Sequence, residues 1–279
     1  MAPRPTHLVT GANAGIGLEI ARGLAASGAH VVLACRDLAK AEAARANLLA
    51  HQPGASLEIL HVDVSSQSSL RDAAKAFALS HSSLDVLVNN AAVVSKSRQE
   101  TVDGRELVFA TNVLGYHLLT HLLRPQLEHA TRARVVNVAS QMAYGLDLGD
   151  VELKERPYTA SNAYAQSKQA NRMLTWGLAR RFVGTRITAN AMHPGAVSTP
   201  LLDALLPGMR GRPTAKGAET AIWLALSPEV EGVTGRFWTD KREIRCDFRG
   251  ERLEEELWSI CDSLSGIGIG IGIETEAEA

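Results

Sequence analysis

Thr10-Gly11-Ala12-Asn13-Ala14-Gly15-Ile16-Gly17 is the stretch from which the fold is read. It follows a short, β-branched segment, THLVT at 6–10, and runs directly into an Ala- and Leu-rich helical stretch at 17–27. Glycines in such a turn allow positive φ and close backbone approach, while the helix start offers free N–H groups and a partial positive charge. A Gly-x-x-x-Gly-x-Gly turn between a first strand and its helix is therefore expected to cradle a pyrophosphate. Gly11, Asn13, Ala14, Gly15, Ile16 and Gly17 are the nominated contacts. A glycine-rich turn with no ligand is the alternative, and the position within a βαβ unit argues against it.

Outward from this turn, short apolar runs alternate with helix-period segments. Strands are expected at 6–10, 30–34, 57–62, 84–89, 134–139, 186–192 and 235–238, with helices at 17–27, 38–50, 66–80, 106–128, 162–182 and 214–226. Strands apolar on both faces and separated by helices imply a parallel sheet covered on both sides. With right-handed crossovers this is an α/β, doubly wound single domain around a mostly seven-stranded parallel sheet, assigned to residues 1–250. A C-terminal amphipathic helix is expected at 251–264, with Leu253, Leu257, Trp258 and Cys261 on one side. The Gly-Ile repeats and acidic end at 265–279 are expected to form a mobile tail, because half of the repeat is glycine.

The 279 residues are 46% hydrophobic and 21% charged, ordinary globular usage. Lys+Arg at 29 and Asp+Glu at 30 provide no basic face for nucleic acid. Three widely spaced cysteines suit a reducing compartment and small buried hydrophobic roles. No apolar stretch approaches the ~20 residues that span a bilayer, and MAPRPT leaves no room for a signal sequence. The expectation is a cytoplasmic protein with no membrane span.

The end of the second strand bears on which dinucleotide binds. An acid there grips the ribose 2′-hydroxyl of NAD, but the chain reads Val32-Leu33-Ala34-Cys35-Arg36-Asp37. Arg36, with Lys40 four residues on, suits the extra phosphate of NADP, although Asp37 is an alternative acid. Asp63 and Val64 follow the third strand, where the adenine ring is expected. Asn90, Ala91 and Ala92 close the fourth strand beside the adenosine ribose.

Tyr164-Ala165-Gln166-Ser167-Lys168 places Tyr164 and Lys168 on one helix face. A tyrosine needs a neighbouring cation to work as an acid–base group near neutrality. Lys168 is that cation, and Ser140, at the end of the fifth strand, is placed to bind a substrate oxygen. Taken together with TGANAGIG (10–17), NNAA (89–92), TNVLGYHLLT (111–120) and HPGAVST (193–199), these motifs resemble the short-chain dehydrogenase/reductase family over roughly residues 6–240. The resemblance implies a Rossmann fold and a catalytic tetrad of Asn112, Ser140, Tyr164 and Lys168, with Asn112 holding a water in a proton relay to Lys168. It also implies that Pro194, Gly195, Val197 and Thr199 meet the nicotinamide half of the cofactor. The long segment between Ser140 and Tyr164, with ACRD (34–37), SKQAN (167–171) and LALSPEVEGVTGRFWTD (224–240), resembles the retinol dehydrogenase and WW-domain-containing oxidoreductase subgroup. That subgroup mostly uses NADP(H), and its membrane-bound members carry an N-terminal anchor that this sequence lacks.

The function expected is NADP(H)-dependent reduction of an apolar aldehyde or ketone, or the reverse oxidation of the alcohol. The alternative is a non-catalytic NADP-binding redox sensor. Leu201, Leu202, Leu205, Leu206 and Met209 form an apolar stripe that either closes over substrate or packs as ordinary core. His117 and His121 have two-histidine metal spacing but no carboxylate between them and no third ligand, so no metal site is nominated. His193 is given no catalytic role. Whether the chain forms homo-oligomers is open: the resemblance implies pairing through the helices that hold Asn112 and Tyr164, while the long insert and the tail are placed to block that surface.

Overall fold

The computed structural model describes residues 4–267. β1 (Thr6–Thr10), α1 (Gly15–Ala26), β2 (His30–Cys35), α2 (Leu38–His51), β3 (Ser56–His61), α3 (Gln67–Ser80) and β4 (Val86–Asn89) alternate strictly. α4 (Leu107–Phe109), a π-helical turn (Ala110–Leu114), α5 (Gly115–Leu122) and α6 (Arg124–His129) lead to β5 (Ala133–Val138). Then come α7 (Ala160–Arg181), β6 (Ile187–His193), α8 (Pro200–Leu205), α9 (Thr214–Leu226), β7 (Phe237–Thr239), β8 (Arg242–Glu243) and α10 (Glu251–Ser265).

The strands form one sheet in the order β3-β2-β1-β4-β5-β6-β7-β8. Seven are parallel, as the alternating pattern requires; the two-residue β8 adds an antiparallel edge on β7. Side chains alternate between faces, so each strand feeds two cores. Leu8, Val32, Ala34 and Val135 pack under α3, α5, α7 and α10, while Val9, Val31, Leu33 and Val136 pack under α1, α2 and α9. Strand order reverses between β1 and β4. Their carboxyl ends therefore send connections to opposite sides and leave a crevice between them.

The helix expected over 106–128 and the inward face of the C-terminal helix differ from the sequence-based expectation. The single helix expected over 106–128 is broken. Glu106 caps α4 by accepting from the N–H groups of Val108 and Phe109, the π turn follows, and Pro125 starts α6 afresh. Gly115 allows this region to press on the β3–α3 loop: a Cβ there would lie 2.5 Å from the Val64 carbonyl oxygen. In α10, Leu257, Trp258 and Cys261 face inward as expected, but Leu253 is 41% exposed and Glu254 is buried in its stead. Glu254 is buried against Arg180 of α7, and Trp258 fills the space left by Gly177, where a Cβ would meet the indole at 2.9 Å. Of the expected tail, residues 268–279 lie outside the described residues; Gly266 ends α10 in the left-handed conformation at φ 64°.

Candidate active site

A cleft of about 800 Å³ opens at the carboxyl ends of β1, β2, β4, β5 and β6. Its floor is the glycine turn. Gly11 and Gly15 take positive φ, 65° and 57°, which a side chain would resist. Gly17 crosses so close to the Gly11 carbonyl and the Asn90 amide that a Cβ has no room; it would stand 2.5 Å from Asn90 Nδ2. The Thr10 hydroxyl accepts from the N–H groups of Asn90 and Ala91, at 2.9 and 3.0 Å, and Asn90 Nδ2 donates to the Thr10 carbonyl at 2.9 Å. Asn90 is thus a brace of the turn as well as part of its lining. Ala14, the N-cap of α1, supplies no side-chain acceptor, so no side chain competes there for the helix's leading N–H groups.

At one end of the cleft, Arg36 is 69% exposed and donates to Asp63 at 3.4 Å. Burial pushes the Asp63 carboxyl up, but hydrogen bonds from Ser65 and the Arg36 charge outweigh it and hold the group below the usual carboxylate range. Asp37 accepts from the backbone N–H of Lys40 at 3.0 Å as the N-cap of α2 and pairs with the Lys40 ammonium at 2.9 Å. Arg36, Asp37 and Lys40 all line this end of the cleft, each paired with an opposite charge.

At the other end, Ser140, Tyr164 and Lys168 come together beneath Pro194 and Gly195. Burial raises the Tyr164 phenol to about 12, against a smaller lowering by its hydrogen bond with Ser140. Burial lowers the Lys168 ammonium to about 7; Nζ donates to the Val138 carbonyl at 2.8 Å and lies 5.6 Å from the Tyr164 ring centre. Ser140 Oγ accepts from the Met142 N–H at 3.1 Å.

Every residue nominated from the sequence lines this one cleft except Asn112. Asn112 sits behind it, fully buried in the π turn, with its side chain committed elsewhere. Its Oδ1 accepts from Val93 N at 2.8 Å, and its Nδ2 donates to the Val93 carbonyl and to Ser167 Oγ, both at 3.1 Å. The side chain ties the loop after β4 to α7.

Three neighbours escaped the sequence reading. Arg172, one turn beyond Lys168, donates to the Ser140 carbonyl and lies 3.6 Å above the Phe237 ring. Tyr116, buried with an unpaired hydroxyl, lies 5.4 Å from Lys168 Nζ, and burial holds its phenol well above the usual range. Ser167 anchors Asn112. The signal available for Arg172 and Ser167 was their place on the same helix as Tyr164 and Lys168.

The apolar stripe also lies in the cleft: Leu201, Leu202, Leu205, Leu206 and Met209 all line it. Thr199 starts α8, accepting from Leu202 N at 3.3 Å. His193 lines the cleft, its imidazole lowered to about 4 by burial and by the charges of Arg172 and Arg212. His117 is bound at 2.7 Å to Asp262 and packs edge-on against Trp258, so it joins α5 to α10.

A family model described as short chain dehydrogenase matches residues 5–209. Mouse retinol dehydrogenase 12 is 35% identical over 277 residues, covering 95% of this chain and 87% of its own length. Human retinol dehydrogenase 14 is 36% identical, with 94% and 86% covered. A solved structure of a protein from Mycobacterium paratuberculosis superposes with a TM-score of 0.79 at 30% identity, covering 95% of this chain and 94% of that one.

Proposed function

This chain belongs to the short chain dehydrogenase family, as an oxidoreductase of the retinol dehydrogenase-like subgroup, and from that premise we propose that it is an NADP(H)-dependent reductase of apolar aldehydes and ketones. The observation that carries the reading is the meeting of buried Ser140, Tyr164 and Lys168 in the same cleft as the glycine turn. The turn and the uncapped start of α1 suit the pyrophosphate, Arg36 and Lys40 suit the 2′-phosphate, and Pro194, Gly195, Val197 and Thr199 suit the nicotinamide end. When bound, NADPH supplies the hydride.

Ser140 Oγ holds the carbonyl oxygen and orients it towards Tyr164. The Tyr164 phenol donates its proton to that oxygen as negative charge develops there. Lys168 stabilises the phenolate left behind, because an ammonium in a buried site interacts strongly with a neighbouring anion. Proton return to Lys168 runs through a water that Asn112 holds. The leucines of α8 exclude bulk water and select an apolar substrate. No helix among the described residues is long and apolar enough to cross a membrane.

The test is cofactor oxidation by the purified protein, with NADPH and NADH compared over a panel of apolar aldehydes and ketones. Turnover with NADPH is expected, and Tyr164→Phe should lower kcat by about 10²–10⁴-fold while leaving NADPH affinity nearly unchanged. Equal use of NADH would overturn the role given to Arg36. Tight NADPH binding without turnover on any carbonyl would favour a redox sensor instead.

A further inference from the structure

At the opposite end of the sheet, three side chains from three separate elements turn their ligating atoms to one point. His30 opens β2, and Ser56, which opens β3, lies directly across from it in the register. Because side chains alternate, Glu58 shares the face of Ser56, and Val32 and Leu60 continue that face beneath α3. The C-terminal turn of α3 brings Phe77 down onto it, with His81 as the helix C-cap. His30 Nε2 and His81 Nε2 lie 3.2 and 2.9 Å from the same oxygen, Glu58 Oε2. All three ligand atoms lie within 4.8 Å of one another.

Two metal–ligand bonds of about 2.0–2.1 Å meeting at the tetrahedral angle hold their donor atoms about 3.3 Å apart. The separations around Glu58 Oε2 are close to such a tetrahedral edge. The rings are also fixed in place. His30 Nδ1 lies 2.8 Å from Ser56 Oγ, the kind of outer partner that orients a ligating imidazole. His81 leans on Phe77 at 4.7 Å between ring centres, and the two imidazoles lie 5.3 Å apart. The His30, Glu58 and His81 side chains are 21%, 36% and 14% exposed, so they are confined while water can still reach a fourth position.

From this geometry we infer that His30, Glu58 and His81 bind a divalent cation of the zinc class, with Ser56 holding His30 in its ligating orientation. Two imidazoles and one carboxylate are the donor set that zinc accepts, with water completing the shell. The ligands are separated by 28 and 23 residues, and no short motif announces them. β2 runs five steps of ~3.3 Å from His30 to Cys35, so the ion sits on the order of 17 Å from the cofactor end of that strand. Its role is to clamp the end of α3 to β2 and β3, apart from hydride transfer.

The full-length protein, stripped with a chelator, is titrated with Co²⁺ and then Zn²⁺ beside Ser56→Ala, Glu58→Gln and His81→Ala. The expected result is one Co²⁺ per chain with the visible bands of four-coordinate geometry, displaced by Zn²⁺. Ser56→Ala should bind about 10-fold more weakly, and Glu58→Gln and His81→Ala weaker still. Zn²⁺ should raise the Tm of the wild type and leave that of His81→Ala unmoved, with NADPH turnover the same in stripped and loaded protein. Equal binding by wild type and variants, or a wild type without four-coordinate bands, would overturn the site and leave a hydrogen-bonded triad. Should a variant fail to fold, His81→Asn replaces it, and the wild-type spectrum still decides.

Discussion

Lys168 carries its charge under strain: buried without a carboxylate partner, it is lowered to about 7, whereas Tyr164 is raised to about 12. Over the ordinary range of pH the phenol stays protonated, so the group that titrates is the lysine. Below pH about 7 its ammonium is present to stabilise the phenolate formed in reduction; above it, that charge is lost. The kcat/KM for NADPH, which reports the free enzyme, should therefore be level on the acid side and fall as pH rises through 7, up to tenfold per unit. A profile flat to pH 9 would show that the lysine keeps its proton despite its burial. Arg172 belongs to the same reckoning, as a second buried cation whose hydrogen bond to the Ser140 carbonyl fixes the strand end on which the serine sits.

At the level of elements, the tightest join is the crossing of α1 over the β1 turn. Gly17→Ala would drive a methyl into the Gly11 carbonyl, which is backbone, and into the Asn90 side-chain amide, which is pinned by its hydrogen bond to the Thr10 carbonyl. Overpacking of this kind costs about 1–3 kcal/mol, and here it also displaces the N–H groups that face the cleft. Denaturant melts should show that loss, and fluorescence titration should show weakened NADPH binding; unchanged melts would mean the turn can retreat. This crossing was legible in the sequence because its glycines, Gly11, Gly15 and Gly17, fall within seven residues and follow a strand. The π turn was not. Helical periodicity continues through 106–128, and the interruption arises from Glu106 capping, from Pro125 and from contact with Val64, a residue more than forty positions away. The same limit hid the anchoring by the Asn112 side chain, whose partners Val93 and Ser167 come from other elements. Glu254 was hidden likewise, since only Arg180 of α7 makes its burial tolerable.

For the whole molecule, α10 lies across α7 and α5 and fastens there through Trp258, His117 and the Arg180–Arg181–Glu255 ion pairs. The face on which the sequence reading expected pairing therefore carries the chain's own last helix. Light scattering at micromolar concentration should give the mass of one chain, and we expect residues 4–267 to melt in one transition because α10 shares the core of the sheet. A stable dimer would show that the contact lies elsewhere. The order of strands has a further outcome, for synthesis. β1 is made first yet ends in the middle of the sheet, between β2 and β4. At about 5–20 residues per second, the ribosome needs ~4–16 s to advance from residue 10 to residue 89. Throughout that interval one backbone edge of an entirely buried strand has no partner, and such edges recruit other chains. Yield in a cell is then governed by how well chaperones shield the nascent N-terminal third.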